Sequence, residues 1–106
     1  MLKKIKVIIK QPRRKPYSTY ISNTLKNLQN TVGGYIETVT LAEDLVVICN
    51  EEGAINDMPY NCTVGNIQFF GPLIFAGVKD DEFSDLPADF ETFKRLFPNL
   101  WGEQYA

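Results

Sequence analysis

A chain of 106 residues with 44% hydrophobic content has material for one compact core and not for two. Eleven basic and thirteen acidic side chains nearly cancel, and the lack of any histidine removes both the commonest general base and the commonest metal ligand. No stretch reaches the roughly 18 apolar residues of a membrane span, and Val7-Ile8-Ile9 is too short for a signal-peptide core, so a soluble protein of the cytoplasm is expected.

Residues 3–10 alternate, with Ile5, Val7 and Ile9 on one side and Lys4, Lys6 and Lys10 on the other, which predicts a half-buried strand whose lysines face water. Gln11-Pro12-Arg13-Arg14-Lys15-Pro16 cannot continue a central strand, because each proline lacks a backbone donor; it reads as an exposed basic loop leading into residues 17–21. Ser22 or Asn23 can cap a helix carrying Ile21, Leu25, Leu28 and Val32 at helical spacing, and Gly33-Gly34 supplies its stop. Residues 35–41 alternate again. The apolar run 45–49 predicts a strand buried on both faces, joined to its predecessor by a turn at Ala42-Glu43-Asp44.

Asn50-Glu51-Glu52-Gly53 is a turn sequence, and residues 54–66 read mostly as connection. Residues 67–78 form a long aromatic-rich strand in which Gly71-Pro72 predicts a bulge, a bend or an edge position rather than a straight central strand. A last helix has Pro87 in its first turn and Leu86, Phe90, Phe93 and Phe97 on one face. Asp89 and Glu91 suit its positive end, Lys94 and Arg95 its negative end, and Pro98 stops it. Trp101 is expected to pack back on the domain. The sum is a single α+β domain over residues 1–106: a mainly antiparallel sheet of about five strands packed with two helices. Cys49 and Cys62 are expected to be reduced packing residues, and the acceptor pattern Asn61-Cys62-Thr63 to be accidental.

Val32-Gly33-Gly34-Tyr35-Ile36-Glu37, then Val47-Ile48-Cys49-Asn50-Glu51-Glu52-Gly53, then Pro59-Tyr60-Asn61 and Gly71, resemble a small domain-of-unknown-function family. That family is common in phages, plasmids and conjugative elements of Gram-positive gut bacteria. Lys15-Pro16-Tyr17 also fits its opening, so the resemblance spans residues 4–78. It implies no catalytic residues. It implies a genomic context in which small proteins often act against host defence, by blocking a nuclease in the manner of an anti-CRISPR protein or by sequestering a signalling nucleotide.

Charge gives two candidate surfaces. Every charged residue before Glu37 is basic, whereas from Glu37 onward thirteen acids face only Lys79, Lys94 and Arg95. Asp80, Asp81, Glu82, Asp85, Asp89 and Glu91 crowd into twelve residues and could imitate a nucleic-acid backbone in the cationic groove of a nuclease. The plainer account of them is helix capping and solubility. Lys10, Arg13, Arg14 and Lys15, with Tyr17 and Tyr20 beside them, offer cations for phosphate and rings for stacking, the plainer account being a solvated loop. Gly33-Gly34 follows a helix instead of preceding one, so it is no phosphate cradle. No serine or cysteine has a partner at the spacing of a known nucleophile motif, and two cysteines thirteen positions apart make no zinc pattern. The expectation is a non-enzymatic protein, without metal or cofactor, that binds a host defence protein such as a nuclease effector. The alternatives are a nucleotide or nucleic-acid binder acting through the basic loop, and a homodimer paired through the strand at 67–75.

Overall fold

The computed structural model describes residues 3–101, and Trp101's side chain, expected to pack on the domain, lies outside the described part. Strands β1 (Lys4–Lys10), β2 (Tyr17–Ser22), β3 (Ile36–Ala42), β4 (Leu45–Asn50), β7 (Leu73–Lys79) and β8 (Glu82–Ser84) form one antiparallel sheet. Its order is β2-β1-β7-β4-β3, with β8 paired to the end of β7. A separate hairpin, β5 (Tyr60–Val64) and β6 (Ile67–Phe70), lies against one face together with helix α2 (Phe90–Leu96). Helix α1 (Leu25–Val32) covers the other face. The fold is α+β, as the pattern predicts.

The alternation of β1 explains both layers. Ile5, Val7 and Ile9 join Leu28, Val32, Val46, Ile48 and Ile74 beneath α1. Ile8 points the other way, into a core with Val47, Cys62, Phe69, Phe75 and Phe93. All six residues of β4 are buried, as their apolar run demands, and burying each Val or Ile side chain contributes about 1.5–3 kcal/mol. Phe75, Phe93 and Phe97 cluster at the α2 end, the first pair edge-to-face with ring centroids 5.0 Å apart and the second tilted at 4.8 Å.

Several expectations are corrected. The helix cap is Thr24, whose side chain accepts from Asn27 N at 3.1 Å, because Ser22 is still paired with Lys4 and Asn23 Nδ2 reaches across to Phe83 O at 3.0 Å. Leu25 therefore starts the helix exposed, and Gly33 ends it in the left-handed region. The connection at 54–66 contains β5. The stretch 67–78 does break at Gly71, where φ is 81°, but the segment beyond the break is the central strand β7, paired with β1 on one side and β4 on the other. Ile74 and Phe75, paired on both sides, thus have no open edge for a partner chain. Pro87 precedes α2, which is capped by Asp89, and Pro98 starts a 3₁₀ turn, Pro98–Trp101.

Candidate functional site

The acidic segment begins at a two-residue turn. Lys79 and Glu82 pair as the last rung of β7 and β8, and between them Asp80 and Asp81 both adopt positive φ, 53° and 63°. Such turns match the right-handed strand twist, and aspartate tolerates the conformation better than most residues. The backbone thus accounts for the residue type while leaving the carboxylates at an exposed tip. Asp85 is different: its Oδ1 accepts from Lys6 N at 2.8 Å and ties this segment to β1. Asp89 accepts from Thr92 N at 2.7 Å, and that bond, aided by Arg95 and Lys6, holds its carboxyl below the usual carboxylate range. Glu91 lies in the first turn of α2, where its charge suits the dipole. All six acids are exposed. Asp85 and Asp89 serve the fold, so the surface offered to a partner narrows to Asp80, Asp81 and Glu82, with Glu91 nearby in sequence.

The basic set assembles only in part. Lys10 is fully buried, contrary to expectation, and its Nζ donates to Gln11 O at 3.0 Å. The cause is the β5–β6 hairpin, which closes over this end of β1: Asn61 Nδ2 donates to Lys10 O at 2.8 Å and to Gly71 O at 2.7 Å. A strand that looks half-exposed in sequence is buried on both faces there. Arg13, Arg14 and Lys15 are exposed in a turn where Arg13 has φ of 62° and Arg14 N donates to Gln11 O. Opposite residues of an antiparallel pair share a face, and Tyr17 lies opposite Ile9 whereas Tyr20 lies opposite Lys6. The two rings therefore point to opposite faces of the sheet and cannot stack on one ligand together.

The pieces of the sequence pattern meet at one end of the sheet, a convergence that sequence reading missed. Asn50 Nδ2 donates to Val32 O at 3.2 Å beneath the Gly33-Gly34 turn, and its Oδ1 accepts from Glu52 N at 2.7 Å. Glu51 N donates to Tyr35 O, Met58 N to Gly53 O, and Gly71 N to Pro59 O. The amide at Asn50 closes the turn that follows it, as turn chemistry predicts, whereas Asn61 bridges two main-chain oxygens remote in sequence and is too buried to act as a glycosylation acceptor in the folded chain.

Beside this knot is a cleft of about 130 Å³ lined by Glu37, Cys49, Asn50, Glu51, Gly53 and Gln68, among others. A more open hollow of about 480 Å³ lies over Gln29, Asn30, Gly33, Gly34 and Tyr35. The first is smaller than the roughly 300 Å³ at which ligand sites begin, and neither is lined by lysine or arginine that could meet a phosphate. Among the described residues no cluster of three or more Cys, Asp or Glu is arranged to hold a metal ion. No helix among them is long and apolar enough to cross a membrane.

The thiols are unreactive by their surroundings. Cys49 is pushed up to about 11 by burial and secondarily by the Glu37 carboxylate, and its Sγ donates to the main-chain oxygen of Glu37 at 3.6 Å. Cys62 is likewise pushed up to about 11 by burial, with the Lys10 charge working in the other direction. Nucleophilic chemistry uses the thiolate, which neither forms at neutral pH. Since both folded values lie above the ordinary value of 9.0, the folded chain binds these protons more tightly than the unfolded chain. The stability this contributes is complete below pH 9 and is lost as pH rises through 11, on the order of 2 kcal/mol for each thiol. Urea unfolding between about pH 8 and pH 11 should show that decline, and the Cys49→Ala/Cys62→Ala double variant a shallower one. Equal slopes would contradict the burial described for the two thiols.

A family model described as "Domain of unknown function (DUF3846)" matches residues 5–98. The match runs past residue 78, where the resemblance read from the sequence ends, and takes in the acidic turn and α2. No curated protein and no solved structure matches the chain.

Proposed function

The chain belongs to the DUF3846 family of domains of unknown function, and from its acidic turn we propose a non-enzymatic protein that binds and inhibits a nuclease of a host defence system. In this reading it is made by a phage or other mobile element, acts in the bacterial cytoplasm, and occupies the cationic nucleic-acid groove of an effector such as a CRISPR enzyme. The observation that carries the proposal is the exposed tip formed by Asp80, Asp81 and Glu82 on a short, register-fixed hairpin. A turn held between paired strands presents its charges without a large ordering cost on binding, and like charges at close spacing are what a nucleic-acid groove attracts. The resemblance to proteins of mobile elements supplies the defence setting.

The nucleotide-binding alternative receives less support, because Lys10 is buried, Tyr17 and Tyr20 diverge, and the two clefts described above have no lining cation. Affinity capture from a bacterial lysate, read for both proteins and small nucleotides, tests the two readings together. Recovery of an effector nuclease is the expected result. Recovery of a nucleotide with no nuclease would overturn the proposal in favour of the alternative.

A further inference from the structure

The main sheet ends in β2 on one side and β3 on the other, and neither outer edge carries a further strand among the described residues. Open edges present a row of backbone donors and acceptors that pair readily with another chain, and proteins usually blunt them with charge, proline or a bulge. Strand β3 is blunted: it holds Glu37, and its register shifts between Thr40 and Ala42. Strand β2, Tyr-Ser-Thr-Tyr-Ile-Ser, has no charge and no proline, and its register with β1 is continuous over six pairs. Two large side chains on it stand out into solvent, Tyr17 at 46% and Tyr20 at 64% exposure. Leu25, just beyond its end, is also exposed.

We propose that β2 is a self-association edge, on which a second copy of this chain adds its own β2 antiparallel to form a two-fold dimer with one continuous sheet. The strand is complementary to itself in a definite register. With Thr19 opposite Thr19 of the second copy, Tyr17 lies opposite Ile21 on the α1 side, and Ser18 lies opposite Tyr20 on the other. The required faces agree, because Tyr17, Thr19 and Ile21 sit opposite Ile9, Val7 and Ile5, while Ser18 and Tyr20 sit opposite Ile8 and Lys6. Aromatic with β-branched and threonine with threonine are favourable cross-strand pairs, and no like charges oppose each other along the strand. Two-fold symmetry also sends the basic turns at Arg13-Arg14-Lys15 to opposite ends of the shared ribbon, separating their charges. A second copy fits these features better than a charged peptide does, because an uncharged strand gives a charged partner nothing to select. Tyrosine at the rim and Leu25 beside it extend the contact past the backbone ladder.

Multi-angle light scattering of the full chain, from micromolar to millimolar concentration, tests this. Twice the monomer mass is expected, and Thr19→Lys or Ser18→Lys should return it to the monomer with an unchanged circular dichroism spectrum. Thr38→Lys on β3 should leave the dimer intact. A monomer at every concentration would overturn the inference. So would a dimer that survives both β2 substitutions, or one lost only with the β3 substitution.

Discussion

Gly77→Ala is expected to lower the free energy of unfolding by about 3 kcal/mol, among the larger single-residue effects this chain can show. A Cβ built at Gly77 would lie 2.1 Å from the main-chain oxygen of Asp85 and 3.0 Å from its carbonyl carbon. Both are backbone atoms, so no rotamer change relieves the clash. Asp85 cannot retreat without breaking the bond from Lys6 N to its Oδ1 and the neighbouring bond from Leu86 N to Lys6 O. The bare edge at Gly77 is thus what lets the segment at 82–86 slip between β7 and the start of β1 and complete the sheet. Gly65→Ala is the contrast: its φ of 63° is strained for alanine, but nothing lies within 4 Å, and about 1 kcal/mol is expected. Thermal or urea unfolding of the two variants distinguishes them. Equal, small losses would mean that β8 does not pack against β7 as described.

Reversing the charge of Asp80, Asp81 and Glu82 together to lysine is expected to weaken nuclease binding roughly 30- to 100-fold near physiological salt. Each exposed charge pair contributes up to about 1 kcal/mol and is screened over about 8 Å, so three reversals should reach roughly 2–3 kcal/mol in total. Most of that should appear as slower association and should shrink as salt rises. The fold should tolerate the change, since the three side chains are exposed. Lysine is less at ease than aspartate at the positive φ of positions 80 and 81, so Asp80→Asn/Asp81→Asn is the companion that keeps the turn chemistry while removing two charges. That variant should lose affinity to a smaller extent. Affinity unchanged in both would remove the acidic turn as the contact surface.

Local chemistry carried most of the architecture. The run at 45–49 could only be a strand buried on both faces, and β4 is one; Gly33 could only be a helix stop, and it is left-handed. What local pattern could not carry was the covering of the sheet by remote segments. Lys10 alternates with Val7 and Ile9 in a manner that implies water, yet a hairpin about fifty residues later closes over it through Asn61. Gly71-Pro72 correctly signalled a break, but a break between two strands reads the same as a bend within one. Which piece becomes central depends on partners, β1 and β4, that lie far away in sequence.

The same limit applies to the candidate site. Six clustered acids were visible as a cluster, but their division of labour was not. Asp85 is spent on Lys6 N and Asp89 on Thr92 N, and only the first of those contacts is remote. Asp89 was legible as a helix-start residue. Asp80 and Asp81 could be recognised as turn formers only once Lys79 and Glu82 were known to pair. The basic set was a neighbourhood in sequence and is only partly one in space: Arg13, Arg14 and Lys15 share an exposed turn, but Lys10 is buried and alternate residues of the edge strand turn Tyr17 and Tyr20 to opposite faces.

Central to the proposed function is competition between this acidic turn and nucleic acid for the groove of a defence nuclease. The direct measurement is a titration of the protein into cleavage reactions of effector nucleases recovered from a lysate, repeated with increasing concentrations of non-cleavable nucleic acid. Loss of cleavage is expected as the protein is added, with recovery as the nucleic-acid competitor rises. Cleavage that is unchanged across the nucleases, or inhibition that nucleic acid does not relieve, would contradict it.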